Sequence, residues 1–278
     1  MDSWIETPNT NVQGRLGRIK YVLIDFDGTI SVIREGWESI MAPMMIEMIC
    51  DGKPSTPEIE KEIRDYIDYS TGILTIKQMT WLAEAVRRYG INRSPKDPYE
   101  YKRIYNQRLL VRVGERLRKL VNGELNPDDL MIVGSRNFLE ELSSRNLIMY
   151  LASGTDHEYV MRETQALRVT QYFRGGIYGA MDHTEANAKD KIIQRILDEN
   201  SLAGDALLVI GDGPVEIRNA KSREAIALGV ATDEVKRSGL NLRKRKRLID
   251  AGADIIIPDF ARYNDLANFL FKTQDSTS

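Results

Sequence analysis

The chain has 278 residues and a formal net charge of −2, with 42% hydrophobic and 29% charged residues. This composition is typical of a globular protein and excludes a disordered or collagen-like chain. Its longest apolar runs are far shorter than the ~20 residues that cross a bilayer, and no secretory signal pattern opens the sequence. The single cysteine, Cys50, excludes an intrachain disulfide and a cysteine-based zinc site, so we expect a reducing, cytoplasmic location and no membrane contact.

The first predicted element is a strand within residues 19–30, which read IKYVLIDFDGTI. An apolar run of this kind suits a strand that is buried on both faces of a parallel sheet. Asp25 and Asp27 follow the run, and side chains two residues apart on a strand point to the same side. The next residue, Gly28, allows the chain to turn sharply.

Residues 34–126 contain no convincing strand pattern and predict an all-helical insert. Apolar residues recur there at helical spacing in four stripes, separated by glycines and prolines. The stripes begin at Trp37, Ile59, Met79 and Tyr105. Pro43 lies inside the first stripe and predicts a kink or a break in that helix.

Beyond the insert, strand and helix patterns alternate. The predicted strands are Leu147–Ala152, Ala206–Ile210, Ala225–Val230 and Asp254–Ile257. The helical patterns are Phe138–Arg145, Glu158–Leu167, Lys189–Leu197 and Tyr263–Phe271. Alternation of this kind indicates βαβ units, so the predicted fold class is α/β, with a Rossmann-like parallel sheet as its core.

Three of the predicted strands end in polar clusters, which begin at Asp25, Ser153 and Gly211. In an open α/β sheet, ligands bind outside the carboxyl ends of the strands. A hydroxyl followed by free amides at the start of a helix, as at 153–156, can also hold a phosphate. Each cluster alone is typical of a turn or a helix cap, but together the three predict one site.

With these residues, the chain resembles the haloacid dehalogenase superfamily of phosphohydrolases. DFDGT at 25–29 matches the first motif, DxDGT, and Ser153 matches the hydroxyl residue of the second. Asp212 and Glu216 resemble the fourth motif, GDxxxD, with glutamate in place of the second aspartate. The resemblance implies an α/β core domain at residues 1–33 and 127–278, and an inserted helical cap domain at 34–126.

The resemblance implies a Mg²⁺-dependent phosphatase that hydrolyses a small phosphorylated metabolite, similar to phosphoglycolate or a sugar phosphate. Asp25 would be the nucleophile that forms an aspartyl phosphate, and Asp27 would be the general acid and base. Mg²⁺ would be bound by Asp25, the backbone carbonyl of Asp27 and Asp212. Glu216 would either contact the metal directly or orient a water or ligand beside it.

The same resemblance assigns phosphate binding to Ser153 and Gly154, and it requires a lysine that neutralises developing charge. That lysine lies within NAKDK at 187–191. Lys189, at the start of a predicted helix, fits the pattern best, and Lys191 is the alternative.

The segment between the second and third helical stripes, residues 70–79, is the candidate substrate-recognition loop. It concentrates hydroxyls, an amide and a lysine behind a glycine turn, and loops on a rigid scaffold commonly carry recognition. The candidate residues are Thr71, Gly72, Thr75, Lys77 and Gln78. Lys77 would suit an acidic leaving group.

Two other functions stay open on the sequence alone. A phosphomutase of the same superfamily keeps both aspartates, and a catalytically weak binding or regulatory module could keep the fold. The basic run at 236–247 predicts a solvated helix, and no aromatic side chain interleaves with it to stack bases. We therefore expect no nucleic-acid partner, and the sequence indicates no oligomeric state.

Overall fold

A six-stranded, all-parallel sheet forms the centre of the protein, with strand order β3-β2-β1-β4-β5-β6. The computed structural model describes residues 4–180, 188–199 and 204–272, of which 188–190 by their backbone alone. The strands are β1 Tyr21–Ile24, β2 Ile148–Asp156, β3 Gly176–Ala180, β4 Leu207–Gly211, β5 Ile226–Val230 and β6 Ile255–Ile257. The predicted parallel sheet is therefore confirmed.

The central strand, β1, pairs with β2 on one side and with β4 on the other. Tyr21 lies opposite both Ile148 and Leu207 in these two ladders. The order of the strands along the chain reverses at this point, and such a switch point leaves a crevice at the carboxyl ends of the strands. The first polar cluster, at 25–29, follows β1 directly into that crevice.

Alternate residues of β1 face opposite sides of the sheet, as the pleat of a strand requires. Val22 and Ile24 belong to the larger apolar core, which also includes the interior of the helices between β1 and β2. Leu23 belongs to the second apolar core, on the other face. Burial on both faces explains why this strand reads as a continuous apolar run.

Four helices lie within residues 34–126, and we call them the helical insert: α1 Glu38–Cys50, α2 Pro57–Ser70, α3 Thr75–Tyr89 and α4 Pro98–Val121. Two of them begin with a capping side chain followed by proline. Thr56 accepts from the backbone of Ile59, and Asp97 accepts from that of Tyr99. A side-chain acceptor before the helix and a proline in its first turn are strong start signals. The apolar stripes pack inward, as predicted.

Helix α1 continues through Pro43, so the break is wrong as one of the two predicted outcomes, a kink or a break. Proline removes one backbone hydrogen bond and crowds the carbonyl four residues earlier, which does not by itself end a helix. The neighbouring Met41, Met44 and Met45 are all buried, and their packing holds the helix together across this point.

Six further helices connect and cover the strands: α5 Ser135–Ser144, α6 His157–Ala166, α7 Ala188–Glu199, α8 Pro214–Ser222, α9 Leu242–Asp250 and α10 Tyr263–Leu270. Short 3₁₀ helices occur at Thr10–Arg15, Pro127–Leu130, Thr170–Tyr172 and Gly204–Ala206. Within the described ranges, no helix combines the length and the apolar composition that crossing a membrane needs.

The edge strand β3 is the one strand that the sequence analysis missed. Its five residues read GIYGA, so it lacks the apolar run that marks the other strands. An edge strand pairs on one side only, here with β2, and needs less apolar surface than a central one.

We expect Phe138→Ala to lower the free energy of unfolding by about 3–5 kcal/mol, because it opens a cavity in the core. Phe138 is 1% exposed and stacks on Phe260 with ring centroids 5.1 Å apart. Val111→Ala is the control, since Val111 is 76% exposed and its loss should cost less than about 0.5 kcal/mol. Urea unfolding measures both, and equal effects would contradict the packing described for Phe138.

Candidate active site

One cavity brings together residues from all three polar clusters and from the helical insert. Its sheet side is formed by Asp25, Asp27, Ser153, Gly154, Thr155 and Asp212. Its insert side is formed by Arg34, Trp37, Thr71, Gly72, Ile73, Thr75, Gln78, Tyr105 and Leu109. The convergence at the carboxyl ends of β1, β2 and β4 that the sequence predicts is therefore present.

The first cluster places Asp25 in the floor of this cavity. Its backbone N–H donates to the carbonyl of Ile210 at 2.9 Å, so the chain is still paired with β4 at this residue. The hydroxyl of Thr29 donates to Asp25 Oδ2 at 3.2 Å. Asp25 is only 5% exposed, and these contacts orient a carboxylate at the end of the central strand.

Gly28 allows the third cluster to approach the first. Its φ is +76°, and a Cβ added there would lie 2.4 Å from Asp212 Oδ2 and 3.1 Å from Glu234 Oε1. Any side chain would therefore displace the Asp212 carboxylate, apart from the strain of a positive φ. The glycine of the motif is needed for close approach as well as for the turn.

Two hydroxyls of the second cluster hold Asp27. Ser153 Oγ and Thr155 Oγ1 each donate to Asp27 Oδ2 at 3.0 Å, and the Thr155 N–H donates to Ser153 Oγ at 3.0 Å. The other carboxylate oxygen, Asp27 Oδ1, is buried and has no hydrogen-bond partner among the described residues. The Asp27 side chain is thus fixed through one oxygen, while the second is left for a ligand.

A buried ion pair lies beside Asp27 and was not predicted from the sequence. Arg34 Nη2 lies 2.6 Å from Glu163 Oε1, and Arg34 Nε lies 3.1 Å from both Glu163 oxygens. Arg34 Nε is also 3.8 Å from Asp27 Oδ1. Arg34 directly follows the apolar run after the first motif, which was the one available signal, but its partner is 129 residues away.

A second buried cation contacts Asp212. Lys244 Nζ lies 2.6 Å from Asp212 Oδ2 and 2.6 Å from Glu234 Oε1, and Lys244 is 7% exposed. Burial works to lower the pKa of Lys244, but Asp212 and Glu234 outweigh it and raise the pKa above its ordinary value. Burial raises the pKa of Glu234, against the effect of Lys244. Lys244 is therefore an ammonium between two carboxylates.

Lys244 belongs to the basic run, so the prediction that this run is a solvated face was wrong for part of α9. Arg243 and Arg247 also have a partner, Asp68 of the helical insert. Lys246 follows the prediction, since its side chain is 77% exposed and pairs with Asp250 one turn away. Lys236, whose side chain is 75% exposed and pairs with Asp233, follows it as well.

The residues at this edge of the sheet fit a Mg²⁺ ion. Mg²⁺ prefers hard oxygen ligands and keeps several waters, so it needs only one or two carboxylates. Asp25, Asp27 and Asp212 line the cavity, and Asp27 Oδ1 is a buried acceptor without a hydrogen-bond partner in the described chain. No cluster of three or more His, Cys, Asp or Glu side chains suited to a metal occurs among the described residues, so an all-protein cage is not formed.

Glu216 occupies a different position from the other predicted metal ligands. It is 2% exposed on α8, does not line the main cavity, and shares a smaller cavity with Asp25. A Cβ added at Gly72 of the insert would lie 2.3 Å from both Glu216 carboxylate oxygens. Gly72 has φ +90°, so both its conformation and this contact require glycine.

Of the five predicted recognition residues, Thr71, Gly72, Thr75 and Gln78 line the cavity and Lys77 does not. The segment is also less of a loop than expected, because α3 already begins at Thr75. The connection between α2 and α3 is only four residues long, at 71–74. Thr75 and Gln78 are three apart on this helix, which places them on the same face.

The predicted catalytic lysine cannot be placed. The backbone of Lys189 lies in the first turn of α7, but its side chain is outside the described residues. Lys191, the alternative, is exposed on the same helix. The assignment of this role stays a prediction.

Glu163 is expected to make the stability of the protein depend on pH. Burial raises the pKa of its carboxyl to about 7 from an ordinary 4.5. The folded protein then holds this proton more tightly than the unfolded chain does. Its contribution to stability is fully present below the unfolded pKa and is lost as the pH rises through about 7, on the order of 3 kcal/mol in all.

We therefore expect wild type to lose stability relative to Glu163→Gln between about pH 5 and about pH 8. Urea unfolding of both proteins at these pH values measures the difference in their free energies of unfolding. Titratable groups that both proteins share contribute equally and cancel in this difference. A stability difference that does not change with pH would mean that Glu163 does not titrate in this range.

Comparison with known proteins identifies the family of the chain and shows which solved structures have a similar fold. The model of the haloacid dehalogenase-like hydrolase family matches residues 19–222. A predicted phosphoglycolate phosphatase from Haemophilus somnus 129pt has a similar structure, with TM-score 0.56 and 16% identity over 90% of this chain and 98% of its own. No curated protein matches the chain.

Two further solved structures are similar over almost their whole length. A haloacid dehalogenase-like hydrolase from Streptococcus pneumoniae has TM-score 0.56 and 20% identity, over 91% of this chain and 99% of its own. A putative beta-phosphoglucomutase from Thermotoga maritima has TM-score 0.52 and 19% identity, over 90% and 99%. At such identities these structures show the fold, and the family model covers most of the chain and all three polar clusters. The protein is therefore a member of the haloacid dehalogenase-like hydrolase family.

Proposed function

We propose that the protein is a Mg²⁺-dependent phosphatase that hydrolyses a small phosphorylated metabolite through an aspartyl phosphate. The observation that carries this proposal is the cavity that Asp25, Asp27 and Asp212 line together. Three carboxylates around one cavity repel a phosphate monoester unless a cation joins them. Mg²⁺, held by Asp25, the Asp27 carbonyl and Asp212, supplies this positive charge when it is bound.

Asp25 is the nucleophile in this proposal. A carboxylate oxygen attacks phosphorus, the bond between phosphorus and the leaving oxygen breaks, and an acyl phosphate forms. The hydrogen bond from Thr29 to Oδ2 orients the Asp25 carboxylate, so that attack needs little rearrangement. Water then attacks the acyl phosphate at phosphorus, which releases inorganic phosphate and restores the carboxylate.

Asp27 moves the protons. It gives a proton to the leaving alcohol in the first step and takes one from the attacking water in the second. Oδ1, which has no hydrogen-bond partner among the described residues, is the oxygen available for these transfers. Ser153 and Thr155 hold the other oxygen and so keep Oδ1 in place.

Ser153 and Gly154 are proposed to bind the phosphate. The Ser153 hydroxyl donates to Asp27 in this structure, so it would turn from Asp27 to the phosphate when the substrate binds. Gly154 has no side chain because a Cβ there would lie 2.5 Å from the carbonyl of Ile73. The backbone of β2 and the backbone of the insert therefore approach each other closely at Gly154. Lys189 remains the proposed source of further positive charge.

The insert side of the cavity favours a neutral, polar leaving group such as a sugar. Its wall offers the hydroxyl of Thr75, the amide of Gln78 and the aromatic face of Trp37. Arg34 is the one cation among the cavity-lining residues, and it is already paired with Glu163. Lys77, the predicted partner of an acidic leaving group, lies elsewhere. Among the two expected classes, a sugar phosphate therefore fits better than phosphoglycolate.

A phosphomutase of the same family is the alternative. The similar structures from Thermotoga maritima and Bacteroides vulgatus are both described as putative beta-phosphoglucomutases. A mutase uses the same two aspartates but returns the phosphate to a sugar hydroxyl instead of to water. The choice depends on whether the cavity admits water to the acyl phosphate.

The experiment is a screen for phosphate release with Mg²⁺, over sugar phosphates, phosphoglycolate, nucleotides and phosphorylated amino acids. Release from a sugar phosphate supports the proposal. Isomer formation without net release identifies a mutase. No turnover of any substrate, with no difference from Asp25→Asn, would favour a binding or regulatory protein.

We expect Asp25→Asn to abolish turnover, because an amide cannot attack phosphorus and is a poorer metal ligand. Asp27→Asn should lose most of its activity, about 100-fold or more, because the general acid and base is gone. Asp156→Asn is a matched control beside the same cavity, since Asp156 pairs with Lys102 and does not line it. Steady-state phosphate release measures all three, and near-normal turnover of Asp25→Asn would rule out the covalent mechanism.

We expect Gln78→Ala to raise KM for the true substrate about tenfold, because Gln78 contacts the leaving group rather than the phosphate. Its Nε2 donates to Ser70 Oγ at 3.2 Å, which fixes the amide in the cavity wall. The control is Thr80→Ala, on the same helix but exposed and outside the cavity. Kinetics over several substrates measure the effect, and an unchanged substrate preference would place specificity elsewhere in the insert.

A further inference from the structure

Helix α9 places a buried ammonium beside the proposed metal ligand Asp212. Lys244 contacts Asp212 Oδ2, but it lines the neighbouring cavity and not the catalytic one. We therefore expect it to act on the proposed metal through Asp212 and through its own charge, and not by contact with a substrate.

Orientation is the first effect of this contact. A carboxylate that coordinates a metal is normally fixed by a second hydrogen bond, and loss of such partners commonly weakens metal binding or activity. Lys244 fixes Oδ2 of Asp212 at 2.6 Å. Oδ1 is the Asp212 oxygen that Lys244 does not contact.

Charge is the second effect, and it opposes metal binding. A buried ammonium next to Asp212 neutralises the negative charge that attracts Mg²⁺. Glu234 offsets it, because its Oε1 lies 2.6 Å from the same Nζ. Glu234 is also close to the first motif, since a Cβ at Gly28 would lie 3.1 Å from Oε1. Lys244 and Glu234 together add no net charge.

We propose that Lys244 is a positioning residue for Asp212, and that the Lys244–Glu234 pair sets the Mg²⁺ affinity of the site. The lysine orients the ligand carboxylate, and the glutamate removes the electrostatic cost of having a cation there. The inference rests on the proposed Mg²⁺ site, but it does not depend on the substrate or on the choice between phosphatase and mutase.

Opposite changes in Mg²⁺ affinity follow from the two single substitutions. Glu234→Gln leaves the ammonium without its second carboxylate, so we expect Mg²⁺ to bind on the order of tenfold more weakly. Lys244→Met removes the competing cation and leaves two adjacent carboxylates. We expect this gain in attraction to exceed the cost of the lost orientation, so that Mg²⁺ binds more tightly. A generally disruptive substitution would instead weaken binding in both cases.

The double variant Lys244→Met/Glu234→Gln separates orientation from charge. It has the same net charge as wild type but lacks the contact to Asp212 Oδ2. We expect its Mg²⁺ affinity to lie between those of the two single variants. At saturating Mg²⁺, we expect both variants that lack Lys244 to show a reduced kcat, because Asp212 is no longer held.

Calorimetric titration of Mg²⁺ without substrate, with the Mg²⁺-dependent rise in Tm, measures the affinities. Lys246→Met is the matched control, since Lys246 lies on α9, is exposed and pairs with Asp250. It should bind Mg²⁺ like wild type. If Lys244→Met fails to fold, the weaker binding of Glu234→Gln against Lys246→Met still tests the charge effect.

The outcomes separate this inference from the proposed function. Wild type that binds no Mg²⁺ contradicts the proposed metal site itself. Suppose that wild type binds Mg²⁺, but the Mg²⁺ affinities of the two single variants change in the same direction, or do not differ from that of Lys246→Met. This result overturns the inference and leaves the proposed metal site intact. Opposite shifts support it.

Discussion

The concentration of buried carboxylates at one edge of the sheet is the constraint on which the rest of the structure depends. Asp25, Asp212 and Glu216 are all at most 5% exposed, and each ionised carboxylate out of water is costly unless a cation or hydrogen bonds compensate it. The strands bring them together because parallel strands end at the same edge. The surrounding elements are arranged to compensate this charge.

Compensation comes from both sides of the cavity. Arg34 lies at the start of the insert and reaches towards Asp27, while Lys244 reaches Asp212 from α9. Each of these cations has its own buried acidic partner, Glu163 and Glu234 respectively. The pairs therefore orient the carboxylates without cancelling the negative charge of the cavity. A site built in this way would attract the proposed metal cation while its carboxylates stay fixed.

The sequence predicts the parts of this arrangement that depend on local order. The apolar runs identify β1, β2, β4, β5 and β6, and the polar residues after three of them identify the cavity. It does not predict partners that only the tertiary structure brings together. Glu163 pairs with Arg34, 129 residues away, and Lys244 pairs with Asp212, 32 residues away. Nothing in the sequence near Glu163 or Lys244 indicates these partners. The strand β3 is missed for a different reason, since an edge strand with two glycines has no apolar run.

The basic run at 236–247 shows which contacts cannot be predicted from neighbouring residues in the sequence. A run of like charges is normally solvated, yet helical spacing directs its members to different partners. Lys244 faces Asp212, whereas Arg243 and Arg247 meet Asp68 of α2. One short helix thus contacts both the helical insert and a proposed metal ligand. If the insert moves away from the core, Arg243 and Arg247 must release Asp68 while Lys244 keeps Asp212. Helix α9 is therefore the element that joins the salt bridges to the insert with the contact to Asp212.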